Sequence, residues 1–381
     1  MAHYPFGNDP AKIERYKAFW AFSAQEDHTF SPKQDGGSRT TSSQSDRPIL
    51  GFTKVGWFPV EYFTACRSWQ VNGVVTLDMI RPEEWLDDTE KLLVEGEEIE
   101  DDILRGVCPT QVAFPAFLPA ALGSEVRVLP QSVLAEERKL SWNEALSVAL
   151  EPDNPWLVKY LDFASALAER AAGRYPVSHN AELGPIDLHA LLRGHNESLI
   201  DLLDSPENSF RLLEKLGKIF IRFTEAVWER IPLYHDGYFD SQYQVWAPGP
   251  IARLQEDATA SVSPELYRSL VQPVDRMIAE HFPCSFIHLH STSMHLLDAF
   301  LEIEPLRCFE INIEKFNIPV DGMIPFFKAV QDARRSLIVR GSFTEDELRC
   351  VLDSLSPEGL YIHIIVEDMQ EADRLATVAG L

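Results

Sequence analysis

The chain has 381 residues with a net charge of −25 at neutral pH and 45% hydrophobic residues. The apolar content provides a large buried core and excludes a disordered polymer, while the acidic balance excludes an electrostatic nucleic-acid binder. No run reaches the roughly 18 consecutive apolar residues of a membrane span, the start Met1–Pro10 is too polar for a secretory leader, and the five cysteines form no C-x-x-C pair. A cytoplasmic protein with reduced thiols, no membrane and no nucleic-acid partner is expected.

Residues 8–30 have helical composition, and 35–46 (DGGSRTTSSQSD) read as a flexible loop. Residues 1–48 are therefore expected to be an N-terminal helix-and-loop extension, ahead of a single unit over 49–381. Between Arg81 and Asp102 the chain carries eleven carboxylates without EF-hand spacing, which predicts a solvated acidic face.

Short β-branched or aromatic runs then alternate with helical periods. Strands are expected at 49–53, 111–115, 125–129, 174–180, 231–237, 284–290, 307–313, 336–340 and 359–365. The principal helices fall at 155–173, 206–230, 264–281, 323–334 and 344–354. Ser205-Pro206-Glu207 and Ser263-Pro264-Glu265 place a cap before a first-turn proline, and Thr344 with Glu347 forms a capping box. Alternation of this kind predicts parallel strands with helical crossovers. With no G-x-G-x-x-G or G-x-x-x-x-G-K-[ST], a TIM-type (β/α)8 barrel of class α/β is expected rather than a nucleotide-binding open sheet.

In a barrel, polar residues at the C-terminal strand ends form the site. His288 and His290, in Phe286-Ile287-His288-Leu289-His290-Ser291, are two apart on a strand and share a face. Two imidazoles there can bind zinc, or one can serve as a general acid–base while the other orients substrate. Glu310 and His363, from other strands, are the further metal-ligand candidates. Asp236, beside Gly237, is a candidate acid, base or substrate anchor, or a turn aspartate. His179, Asn180, Glu182, Tyr234, His235 and Trp246 are candidate substrate-binding residues, and Arg340 is suited to clamp a carboxylate or phosphate or to close an internal salt bridge.

Val126–Pro130, the segment Pro176–Asp204 with Gly184-Pro185-Ile186-Asp187, the run Leu254–Ala258 leading into Ser263-Pro264-Glu265, and the strand Phe286–His290 resemble the uroporphyrinogen decarboxylase-like superfamily over roughly residues 105–380. The resemblance implies a TIM-type barrel and an enzyme of the decarboxylase or the corrinoid-linked methyltransferase kind. The decarboxylases carry an arginine-rich N-terminal signature, whereas Phe52–Pro59 here has none, so true uroporphyrinogen decarboxylation is not expected. The methyltransferases hold zinc with an H-x-C and a later cysteine. In this chain His288 matches the histidine, His290 replaces the cysteine, and no cysteine follows Cys350.

Three functions follow as expectations. One is a methyl or one-carbon transferase on a small substrate, zinc-assisted and served by a separate corrinoid protein. Another is a lyase on a small acid using Asp236, His288 and Arg340. The last is a non-catalytic metabolite-binding barrel. Pairing into a homodimer is a family habit.

Overall fold

The structure, a computed structural model, describes residues 10–24, 47–54, 62–112, 116–130, 132–314 and 316–381. The expected loop at 35–46 and residues 55–59 and 113–115 lie outside the described residues.

The described residues form ten strands: β1 (Ile49–Thr53), β2 (Val126–Leu129), β3 (Ser132–Ala135), β4 (Tyr238–Asp240), β5 (Val245–Ala247), β6 (Arg253–Gln255), β7 (Phe286–Leu289), β8 (Cys308–Asn312), β9 (Ser336–Gly341) and β10 (Leu360–Ile365). Six of them form one parallel sheet in the order β1-β10-β9-β8-β7-β6. Helices Val320–Asp332 and Glu345–Ser354 are the crossovers between β8, β9 and β10, as the alternation requires. Thr344 and Glu347 cap each other as expected, and Ser263 caps Leu266, but Ser205 makes no side-chain cap bond.

Six expected strands, β1, β2 and β7 to β10, lie where the sequence puts them; β2 differs in its pairing, and the other three segments differ for identifiable reasons. The 125–129 segment forms an antiparallel hairpin, β2 with β3, because one residue face is buried and the other half-exposed. At 109–112 the chain makes a 3-10 turn with Thr110 and Gln111 in the left-handed region, which no strand tolerates. Val177 makes only an isolated parallel bridge with Val107, and 234–237 is a turn with positive φ at His235 and Asp236. Strand β6 was missed because it is three residues long and begins with arginine.

No continuous ladder closes the sheet among the described residues, so the closed barrel is not observed. At the open edge of β1, side chains take a strand's place. Asp102 accepts from Leu50 N at 3.0 Å and Asp101 from Phe52 N at 3.0 Å. The acidic run is therefore not solvated throughout. Its last two carboxylates are buried and ion-paired, Asp101 with Arg105 and Asp102 with Arg15 and Arg47.

Strand alternation separates two faces. Leu50, Ile287, Phe309, Leu337 and Ile362 belong to the main core, packed with the helices. Ile49, Phe286, Cys308, Ile338 and Tyr361 form a second cluster with Tyr16, Phe19 and Trp20 of helix Pro10–Ala24. That helix lies at the N-terminal strand ends, where the Ser336 hydroxyl donates to Phe19 O at 2.6 Å. Two residues further along, on the inner face, the side chains turn polar: His288, Glu310, Arg340 and His363.

The Gly184-Pro185-Ile186-Asp187 motif is an architectural lock. Gly184 N donates to Gln255 O at 2.8 Å, the Glu256 carboxyl accepts from Ile186 N, and Asp187 accepts from the amides of Asp257 and Ala258. A Cβ on Gly184 would lie 2.1 Å from Glu256 Oε1 and 2.3 Å from Gln255 O. Gly184→Ala is expected to destabilise the fold by about 2–4 kcal/mol in urea unfolding, as overpacking against fixed backbone does.

Candidate active site

His288 is held from three sides. Its Nδ1 bonds the Glu310 carboxyl and, at 2.8 Å, the Tyr243 hydroxyl, while its Nε2 lies 3.1 Å from the Nε2 of His290. His290 is held the same way, with Nδ1 on the Glu314 carboxyl and Nε2 3.5 Å from Asp257 Oδ1. Glu314 is itself fixed by the Ser291 hydroxyl at 2.9 Å, and Asp257 by the Gln255 amide at 2.7 Å. One ligand atom each from Asp257, His288 and His290 lies within 4.8 Å of the others.

When both ring protons sit at Nδ1 against the carboxylates, the two Nε2 lone pairs face each other. A cation between them relieves that arrangement, as does the other tautomer of His288, which donates from Nε2 to His290 while Glu310 donates to Nδ1. Two nitrogens bound to tetrahedral zinc at about 2.0–2.1 Å are about 3.3 Å apart, so the 3.1 Å spacing fits such an ion. The donor set of two imidazoles and a carboxylate, backed by outer carboxylates, fits as well. Burial pushes Glu310 up to about 8 against the pull of Arg340, His290 and Arg253. Burial, then Arg253, pulls His288 well below its usual value. Without a cation, Glu310 thus retains a proton that an ion at the paired Nε2 atoms displaces.

Around this cluster lies a polar interior. Tyr243 packs against His288 with ring centroids 5.9 Å apart and against His363 at 6.5 Å, and the Arg340 guanidinium lies 5.5 Å from its ring centroid. Arg253 is 1% exposed and bonds the Gln255 side chain, while its Nε and Nη1 have no hydrogen-bond partner among the described residues.

The expected site residues divide by position. His288 and His290 meet, and Glu310 joins them from the outer, Nδ1 side. His363 stands apart, stacked on Tyr361 at 5.5 Å. Asp236 and His235 are exposed in the turn after helix Pro206–Trp228, and Tyr234 accepts the Trp246 indole N–H at 2.7 Å. Trp246 belongs to the second cluster with Trp20, at the N-terminal strand ends. Tyr234, at the start of the same turn, packs in that cluster too, so Asp236 lies away from His288. His179 and Asn180 are buried: His179 packs edge-on to Trp228 at 5.2 Å, and Asn180 donates to Pro109 O at 2.8 Å. Asp257, Tyr243 and Arg253 were missed by sequence reasoning. Asp257 sits two residues past β6, and recognising that short strand was the available signal.

Glu182 accepts from Leu118 N at 3.3 Å, and burial raises its carboxyl to about 8. A carboxyl raised on folding stabilises fully below its unfolded value near 4.5, and the contribution is lost as pH climbs through 8. Glu182→Gln is expected to flatten the fall in Tm between pH 5 and 9. At pH 9 the variant gains about 1–3 kcal/mol over the parent, read by thermal unfolding across that range.

No family model matches this chain, and no curated protein does. Among solved structures it is similar to a methyltransferase from Methanosarcina mazei, with 14% identity, a TM-score of 0.56, and 88% of this chain and 94% of that one covered. The two share a fold.

Proposed function

We propose that the protein is a zinc-dependent methyl or one-carbon transferase with a (β/α)8-type architecture. The facing Nε2 atoms of His288 and His290, with Asp257 beside them, carry this reading. Similarity of fold to the Methanosarcina mazei methyltransferase supports the class of reaction.

Zinc held by these three side chains would supply Lewis acidity, making a thiol or hydroxyl acceptor nucleophilic at neutral pH. The chain's own groups do the rest. Glu310 and Glu314 keep each ring's proton on Nδ1 and aim Nε2 inward, and the Tyr243 hydroxyl fixes His288. Gln255 orients Asp257. The two imidazoles, being neutral, leave more positive charge at the ion than thiolates would, which favours an oxygen or thiol acceptor that binds as an anion. A corrinoid protein is the proposed methyl donor.

The test mixes zinc-loaded protein, methylcobalamin and a small thiol, following the cobalamin spectrum. Demethylation that needs the protein and is lost on chelation is expected. Release of CO2 from a small carboxylic acid by metal-free protein, with no effect on methylcobalamin, would replace this reading by a decarboxylase.

A further inference from the structure

Beside Asp257 lies a cavity of ≈ 380 Å³, between helix Pro185–Arg193 and strand β3. Its walls are apolar: Val133, Leu134 and Ala135 from β3, Leu183, and Ala190 and Leu191 from the helix. Helix and floor are tied together, because Asp187 accepts from the amides of Asp257 and Ala258 at 3.2 and 2.7 Å. The space is built into the fold, as small-molecule sites are.

Charge narrows what can enter. Among the described lining residues there is no lysine or arginine, and the ionisable side chains are Asp187, Asp257 and His195. In a chain of net charge −25, an anionic body here would give up its water against apolar carbon and carboxylates, with no cation to pair with it. An uncharged apolar body gains by the same burial. Asp257 joins the cavity to the histidine cluster: its Oδ1 lies 3.5 Å from His290 Nε2, and its side chain is 40% exposed. A molecule seated against Leu191 and Val133 can therefore bring one end to the proposed zinc ligands.

We propose that this cavity seats the methyl acceptor, an uncharged thiol with an apolar body. A cavity of about 150 Å³ holds benzene, so the body can reach about two rings in size. A thiol is favoured over an alcohol because it ionises near about 8.5 even unassisted. In the transfer the thiol proton leaves to solvent, a sulfur lone pair forms the bond to the methyl carbon, and the cobalt–carbon bond of methylcobalamin breaks with its electron pair left on cobalt. As the acceptor's identity this rests on the transferase reading; as an apolar binding site it stands without it.

Titration calorimetry of the full chain, after chelation of any metal, compares phenylmethanethiol with para-(mercaptomethyl)benzoate, the same body carrying a carboxylate. The uncharged thiol is expected to bind in the submillimolar range and the anionic one at least about tenfold more weakly. Leu134 is 55% exposed, so a charge there is tolerated by the fold. Leu134→Lys is expected to narrow the gap between the two thiols at least about threefold and Leu134→Glu to widen it. With zinc-loaded protein and methylcobalamin, kcat/KM should follow the same order. Equal binding of the two thiols, a gap unmoved by both variants, or density for phenylmethanethiol elsewhere in a soaked crystal overturns the proposal. Demethylation driven equally well by the anionic thiol also overturns it and leaves the transferase reading standing. Binding in the predicted order by a zinc-loaded protein that leaves methylcobalamin intact overturns the transferase reading and leaves the apolar site.

Discussion

His288→Ala and His290→Ala are each expected to abolish stoichiometric zinc binding, lowering affinity at least a thousandfold in competition with a chromophoric chelator. Removal of either imidazole leaves a two-ligand site, and a zinc held by two side chains is not retained against chelators. Asp257→Asn keeps the shape but gives up an anionic oxygen, so a smaller loss is expected. Glu310→Gln and Glu314→Gln act through the rings and should cost about 10–100-fold each. That ordering distinguishes direct ligands from the carboxylates behind them. Equal loss at Glu310 and at His288 would move Glu310 into the ligand set.

Asp101→Ala is expected to be the most destabilising change in the acidic run, about 3–5 kcal/mol in urea unfolding. The Asp101 carboxylate meets the Arg105 guanidinium with bonds of 3.0 and 2.7 Å and also accepts from Phe52 N. Both partners are buried, so truncation leaves the guanidinium with only the more distant Glu97 carboxylate at 3.9 Å and orphans a strand amide as well. Glu100→Ala, on an exposed residue of the same run, should change stability by no more than about 0.5 kcal/mol. Similar values for the two variants would return the whole run to a solvated face.

The contrast between Asp101 and Glu100 shows where sequence reasoning stops. A run of carboxylates looks uniform in one dimension, and nothing local says that its last two members face a strand edge. The central strands were legible because they are apolar, β-branched and bounded by capped helices such as Glu345–Ser354. Strand β6 was not, since three residues beginning with Arg253 carry no periodicity. Missing it hid Asp257 as well.

The shared face of His288 and His290 followed from the two-residue repeat of a strand, and their meeting at 3.1 Å agrees with it. Their partners came from tertiary placement. Asp236 looked suitable because it stands beside a glycine, yet its turn feeds the opposite strand ends. Glu310 lies on the strand beside β7, whereas His363 lies on β10, two strands further along the sheet. Which side of an imidazole each would meet depends on strand stagger, which the sequence does not display.

Zinc-edge X-ray absorption on protein purified from zinc-containing medium tests the histidine cluster most directly. One zinc per chain is predicted, with imidazole nitrogens and a carboxylate oxygen at about 2.0–2.1 Å and no sulfur neighbour. A sulfur shell near about 2.3 Å, or a folded protein that retains no zinc, would contradict it.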